Sequence, residues 1–168
     1  LWYHPHAMGS TAKQVYQGLA GLIYVQDAVS QKLNLPDKYG VDDFPVVIQD
    51  RNFTANNQFD YAADHQNDGT TGKTLLINGT LNPYIKVTTK LVRLRFVNGS
   101  NARNYRLTLS NGQAMHQIAT DGGLLAKPVA VKTLKLAPGE RAEVVIDTSK
   151  LTSQVTVKNG QQRVLALR

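Results

Sequence analysis

Short runs of alternating hydrophobic and polar residues cover most of this chain, and Gly, Asn, Asp and Pro separate them. The clearest run is 91–97 (LVRLRFV), where Val92, Leu94 and Phe96 share one face. Further strands are predicted at 44–51, 74–77, 84–87, 105–109, 115–119, 129–136 and 142–146, with a closing hairpin of Val155, Val157, Leu165 and Leu167 around Asn159-Gly160. About eight or nine short strands with this punctuation predict an all-β Greek-key sandwich.

The first 43 residues follow a different pattern. Residues 1–6 and 19–26 read as two strands, the second strongly apolar, and the polar stretch 7–17 reads as a loop or a short helical turn. Two strands do not form a stable domain alone, so we expect residues 1–27 to be the end of a preceding, incomplete domain. Residues 28–43, with a short helix before Pro36, read as a connector, and 44–168 as a complete domain.

The apolar run at 19–25 implies a partner. A segment so hydrophobic is not expected to stay in water, and we predict that it packs against something outside 44–168. The alternatives are the remaining part of a longer protein, a second chain, or a swapped copy that gives a homo-oligomer. We therefore expect the chain to be a piece of something longer.

Composition narrows the classes of partner. The net charge is +7, but the basic residues are scattered, and Arg93 and Arg95 alternate with apolar residues, which is typical of a solvated strand face. Aromatic residues do not interleave with the basic ones as a base-stacking platform requires, so no nucleic-acid partner is predicted. There is no Cys, which excludes disulfides and thiolate metal sites. No apolar run reaches membrane-spanning length.

The segment Trp2-Tyr3-His4-Pro5-His6 is the main candidate for chemistry. On a strand, residues i and i+2 point to the same face, so His4 and His6 would present two imidazoles side by side. Imidazole is the commonest protein ligand of copper, zinc and iron, and this geometry suits neighbouring metal ions. By itself a His-x-His pattern is weak evidence for a metal site.

Other polar motifs have structural interpretations. His65 lies in a polar stretch without the ligand order of a calcium loop, which favours a solvated loop, and His116 reads as an ordinary strand histidine. Asp121-Gly122-Gly123 lacks the Lys-Ser/Thr of a phosphate loop and reads as a tight turn. In 98–103 (NGSNAR) we predict a turn stabilised by Asn and Arg side chains bonded to the backbone.

Taken in order, several longer motifs resemble one family. The run WYHPHAMGSTAKQVYQGLAGLIYVQD is similar to the end of the first cupredoxin domain of multicopper oxidases of the copper-efflux oxidase, spore-coat laccase and bilirubin oxidase group. The rest resembles their second domain, through DDFPVVIQDRNF, GKTLLINGT, LVRLRFVNGSNARNYRL, ATDGGLL and LAPGERAEVVID. The resemblance covers essentially the whole chain and implies a cupredoxin-like sandwich without copper of its own at 44–168.

The resemblance also implies a chemistry. Such proteins use three cupredoxin domains, and four His-x-His motifs of the first and third domains hold a trinuclear copper cluster that reduces O₂ to water. A blue copper in the third domain takes electrons from a phenolic or metal-ion substrate and passes them on through its Cys ligand. His4-Pro5-His6 resembles the second motif of the first domain, so His4 and His6 would each ligate one copper of the type 3 pair.

The departures limit what this chain does alone. The other three His-x-His motifs are missing, and without Cys the blue copper site cannot be built. We therefore expect a part of a copper-dependent oxidase that is inactive as an isolated chain and that needs the remaining cupredoxin domains. The alternative is a non-enzymatic structural or interaction module, like cell-division relatives in this superfamily. The resemblance suggests the cell envelope or export, and a cysteine-free chain is also compatible with the cytoplasm.

Overall fold

Two β-sheets packed face to face make up most of the computed structural model, which describes residues 1–62, 69–149 and 151–168, and the backbone of 65 and 66. The elements are β1 (Trp2–Tyr3), α1 (Thr11–Tyr16), β2 (Gly21–Leu22), a 3₁₀ helix (Ser30–Leu33), β3 (Asp43–Arg51), β4 (His65–Gln66), β5 (Gly69–Thr70), β6 (Thr74–Ile77), β7 (Tyr84–Ile85), β8 (Leu91–Asn98), β9 (Tyr105–Leu109), β10 (Met115–Thr120), β11 (Gly123–Val131), β12 (Leu134–Leu136), β13 (Arg141–Asp147), β14 (Val155–Asn159) and β15 (Gln162–Leu167).

The strand order confirms the predicted Greek-key sandwich. One sheet has six strands in the order β11-β10-β13-β8-β3-β6, and the other has five in the order β12-β9-β14-β15-β7. The chain moves repeatedly between the sheets, so β8 pairs with β3 in parallel and with β13 in antiparallel fashion. The predicted closing hairpin is β14 and β15, with Val155 opposite Leu167 and Gly160 at positive φ in its turn.

The core lies between the two sheets. Val92, Leu94 and Phe96 of β8 are each at most 1% exposed, which confirms the face predicted from their alternation. They pack with apolar residues of the five-stranded sheet such as Leu107 and Val157. Each of these buried side chains contributes about 1.5–3 kcal/mol relative to an exposed position, so the contact between the two sheets is a major source of stability.

One predicted strand is two strands. The expected strand at 129–136 is divided by a bend at 132–133, and β11 belongs to the six-stranded sheet while β12 pairs with β9 in the other. The prediction failed because no Gly, Pro or Asn marks this crossing. β11 is also the outer edge of its sheet and is largely exposed, with Lys127 and Pro128 near its middle. The short pair of β4 and β5 includes the backbone of His65, for which a loop was predicted.

The predicted solvated face of β8 is buried instead. Arg93 and Arg95 are only 7% and 8% exposed. Tyr24, from the segment before the sandwich, lies over the Arg95 guanidinium at 4.4 Å from its ring centroid. The prediction failed because the covering residue comes from about 70 positions earlier in the chain, which local alternation does not show.

The first 42 residues form a thin layer on the sandwich, which we call the leading segment. β1 and β2 pair antiparallel through only two residues each, so both strands are shorter than predicted, and α1 confirms the short helical turn. Leu19, Ile23 and Val25 are 46–65% exposed, whereas Leu22 and Tyr24 are partly covered. One face of the apolar run therefore contacts the sandwich and the other is open. No helix in the described part of the chain is long and apolar enough to cross a membrane.

Candidate metal-binding segment and its supports

The two histidines of the candidate motif lie side by side. Their ring centroids are 5.7 Å apart with the ring planes inclined by 37°. His4 and His6 follow β1 and are not part of a strand ladder, which corrects the expected strand over residues 1–6. Pro5 accounts for this end, because proline has no N–H with which to continue a ladder. The pairing of the imidazoles thus depends on residues 4–6 just beyond β1, whose backbone has no regular secondary structure.

The nitrogen atoms of the pair are suited to bind a metal. His4 Nδ1 is 2.8 Å from the Pro5 carbonyl oxygen, and donating its proton there leaves Nε2 as the unprotonated nitrogen. A hydrogen bond of this kind orients a ligating imidazole and raises its basicity. His6 is exposed, and its ring nitrogens have no hydrogen-bond partner among the described residues. The described residues contain no group of three or more His, Cys, Asp or Glu side chains that could hold a metal ion. Among the described residues, His4 and His6 therefore form a pair of imidazoles that is not part of a larger cluster of such side chains.

Trp2 connects this pair to the sandwich. Its ring centroid is 4.4 Å from that of His4. On its other side it approaches the turn before β13, where a Cβ added to Gly139 would lie 3.4 Å from Trp2 Cζ2. Gly139 has a φ of +79°, a conformation that favours glycine, and its N–H donates to the Asn98 carbonyl. The sandwich therefore contacts the segment on the N-terminal side of the histidines.

A buried arginine supports the C-terminal side. Arg51 at the end of β3 is fully buried, and its guanidinium donates to the carbonyls of Val15 (2.9 Å) and Asp50 (2.8 Å). The guanidinium also lies over the Tyr16 ring, 4.5 Å from the centroid. Burial lowers the Arg51 pKa from its ordinary value. Burying this side chain is costly, so the contacts with α1 must offset that cost.

Tyr16 forms the second link between α1 and β3. Its hydroxyl accepts the Asn52 N–H at 2.6 Å and donates to the Asp60 carbonyl at 3.0 Å. Burial raises the pKa of Tyr16, so the hydroxyl keeps its proton and remains a donor. Neither Arg51 nor Tyr16 was predicted to have this role, although an arginine at the end of an apolar strand and a tyrosine in a polar stretch are visible in the sequence.

A charged cluster lies below the apolar run of the leading segment. Arg95 makes a bidentate pair with Asp43 (2.6–3.0 Å) and bonds to Glu143 at 2.9 Å, and Arg93 also pairs with Glu143. Tyr24 covers this cluster, and burial, followed by the nearby Asp43, raises the pKa of its hydroxyl to about 12. The cluster and the apolar run enclose a groove of about 570 Å³.

The remaining motifs are structural. His116 lies exposed on β10, and the side chain of His65 lies outside the described residues. Asp121-Gly122 makes the predicted turn between β10 and β11. In the predicted polar turn, Asn98 Nδ2 donates to the carbonyls of Arg103 and Leu136, and Arg103 donates to the Gly72 carbonyl, which confirms the side-chain-to-backbone bonding.

Comparison with known proteins supports the resemblance. The family model for multicopper oxidase matches residues 39–159. Multicopper oxidase mco of Staphylococcus haemolyticus is 47% identical over 92% of this chain and 34% of its own length. Cell division protein FtsP of Salmonella typhimurium is 48% identical over 96% of this chain and 34% of its length. A crystal structure of laccase from Pediococcus acidilactici has a TM-score of 0.95 and 42% identity, covering 99% of this chain and 36% of that one.

The two packed sheets and the likeness to this laccase structure define a cupredoxin-like β-sandwich. The chain belongs to the multicopper oxidase family, and membership implies copper as the associated metal. The chain spans about a third of the length of the curated relatives it matches.

Proposed function

We propose that this chain is the part of a copper-dependent oxidase that supplies two ligands, His4 and His6, to the type 3 pair of a trinuclear copper cluster. The observation that carries the proposal is the paired imidazoles, 5.7 Å apart, with His4 Nδ1 held by the Pro5 carbonyl. Neutral imidazole nitrogens suit a metal that changes oxidation state. Copper, when bound, supplies the one-electron steps by which O₂ takes up four electrons and four protons to give two waters.

The chain's own residues orient these ligands. The Pro5 carbonyl holds the His4 tautomer that leaves Nε2 free, and Trp2 packs against the His4 ring and restricts its rotation. His6 lies on the solvent side of the pair, where its ring remains accessible. By resemblance, the substrate of the whole oxidase would be a phenol or a metal ion. We assign electron entry to a blue copper outside these 168 residues, since the chain has no Cys.

The leading segment supports a division into domains and a partner. We propose that residues 1–27 complete a first cupredoxin domain, that 28–43 connect it, and that 44–168 are the second domain. The open face of Leu19, Ile23 and Val25 would then be covered by the rest of the first domain. Relatives about three times as long as this chain have room for such domains. The alternative is that a second copy covers this face. It would be supported if analytical ultracentrifugation showed a dimer of the chain and if Ile23→Ser dissociated that dimer.

A copper titration tests the ligand assignment. Addition of Cu²⁺ should broaden the ring proton signals of His4 and His6 in the NMR spectrum before those of His116, and His4→Ala with His6→Ala should weaken copper binding about tenfold or more. His116→Ala is the matched control, because it removes an exposed imidazole from the sandwich. Equal effects of the double variant and the control would refute the assignment. The isolated chain should not oxidise phenols or metal ions with or without copper.

The second candidate function is a structural role without copper. The observation in its favour is the 48% identity to cell division protein FtsP, which is as high as the identity to an oxidase. A chain of this kind would use the sandwich and the leading segment as a binding surface, and its histidines would have no special affinity for copper. The copper titration distinguishes the two, because only the oxidase assignment predicts preferential binding at His4 and His6.

A further inference from the structure

The buried guanidinium of Arg51 bonds only to backbone carbonyls. None of the ion pairs among the described residues includes Arg51, and the neighbouring Asp50 carboxylate is bonded to Arg103. Removing a charge from water without a bonded carboxylate is expensive, and an apolar side chain of similar size would fill the same space at less cost. A contribution to core packing therefore does not account for an arginine here.

The bonds of Arg51 are directed at the end of α1. One donor holds the carbonyl of Val15, in the last turn of the helix, and the plane of the guanidinium stacks on Tyr16. Only a planar group with several donors can make both contacts at once. Besides Arg51, the hydroxyl of Tyr16 ties α1 to Asn52 and Asp60, and an exposed bond runs from Asn101 Nδ2 to the Ala12 carbonyl.

The backbone that joins the histidines to α1 is short and hydrogen-bonded. Ala7 follows His6 directly, and its carbonyl accepts the N–H groups of Ser10 and Thr11 and the Thr11 hydroxyl, at 3.0–3.1 Å. Helical bonds continue from there, from Gln14 N–H to Ser10 and from Gln17 N–H to Lys13. Displacement of α1 would therefore be transmitted to His6 through a continuously hydrogen-bonded backbone.

We propose that Arg51 is a positioning residue that fixes α1 on β3 and thereby sets the placement of the His4–His6 pair relative to the sandwich. The proposal rests on the role given above to these histidines as copper ligands. In this proposal the second domain orients the ligands of a metal site, although it supplies no ligand itself.

Hydrogen exchange on the 168-residue chain tests the positioning role. In Arg51→Met, which keeps an unbranched apolar stem, the amides of Gln14, Gln17 and Gly18 should exchange at least about tenfold faster, because a charge-assisted hydrogen bond and a stacking contact are lost. Amides of the β8–β13 ladder should change less than about twofold relative to the wild type. Arg51→Lys keeps the charge but not the planar group of donors. Its α1 amides should exchange at rates between those of the wild type and those of Arg51→Met.

Arg103→Met is the matched control. Arg103 bonds to Asp50 and to the Gly72 carbonyl and makes no bond to α1, so its loss should not accelerate the α1 amides more than those of the β8–β13 ladder. The proposal would be overturned by unchanged α1 exchange in Arg51→Met, by equal acceleration of α1 and β8–β13 in that variant, or by selective acceleration of α1 in Arg103→Met. Should Arg51→Met not fold, Tyr16→Phe removes only the hydroxyl bonds to Asn52 and Asp60, and it must accelerate the same amides by about threefold.

The copper titration separates this proposal from the assignment of the ligands. Arg51→Met should require about fivefold more Cu²⁺ to broaden the His4 and His6 ring signals, whereas Arg103→Met should match the wild type. An unchanged titration in Arg51→Met would show that the residue does not position the pair. A wild-type chain in which copper leaves both histidines unaffected would remove the ligand assignment, while the exchange experiment would still decide whether Arg51 fixes α1.

Discussion

Two similarly apolar runs, one in the sandwich and one in the leading segment, differ in how far they are buried. In β8, alternate residues Val92, Leu94 and Phe96 are buried by a second sheet, and the polar residues between them are covered as well. In the leading segment, the run at 19–25 is at least as hydrophobic, but only two of its residues are in a strand pair and one face remains open. Local sequence thus determines which face is apolar, and the surfaces available in the rest of the fold determine whether it is buried.

The two regions should differ most in how much stability is lost when an apolar side chain is truncated. Phe96→Ala should lower the free energy of unfolding by about 3–5 kcal/mol, because it leaves a cavity between the sheets. Ile23→Ala removes an apolar side chain that is 46% exposed and should change stability by less than about 1 kcal/mol. Urea unfolding of both variants measures the difference. Similar losses in the two variants would show that the leading segment is part of the same cooperative core.

The charged cluster joins the two regions, and its disruption should have the second-largest effect on the free energy of unfolding. Asp43→Asn leaves the buried Arg95 without its bidentate carboxylate and should destabilise the chain by about 2–4 kcal/mol. Asp121→Asn is the control, because Asp121 is half-exposed in its pair with Arg141 and should cost less than about 1 kcal/mol. Thermal unfolding of both variants at one pH gives the comparison, and equal shifts in Tm would contradict the role given to burial.

A smaller, pH-dependent effect probes the contact of Tyr24 with the cluster. Its pKa is raised to about 12 in the folded chain from an ordinary value of 10.0, so the unfolded state releases the proton first. Stability should therefore fall as the pH rises from about 10 to 12, by no more than about 1–2 kcal/mol after solvent screening. Tyr24→Phe should lack this part of the decline. Urea unfolding at pH 9, 10, 11 and 12 measures it, and parallel curves for the two proteins would show that Tyr24 is not buried on the cluster.

Alternation and turn residues were enough to predict the sandwich, the closing hairpin and the bonded turn at Asn98, because these depend on contacts near in sequence or on one repeated face. They were not enough for Arg93 and Arg95, whose carboxylate partners Asp43 and Glu143 lie on two other strands. The side-by-side placement of His4 and His6 was predicted, although their backbone is not a strand. Arg51 stands out as an arginine at the end of an apolar strand, but its partners are backbone carbonyls, which every residue possesses, so the sequence did not indicate what it binds.

The composition of the edge strand β11 has a consequence for aggregation. Its nine residues stand at the rim of the six-stranded sheet, where an unpaired ladder would otherwise recruit a strand from another molecule. Pro128 cannot donate a hydrogen bond to such a strand, and Lys127 would bring its charge into the contact. This edge of the sheet is thereby protected from edge-to-edge growth, so strand addition at β11 should not start fibrils.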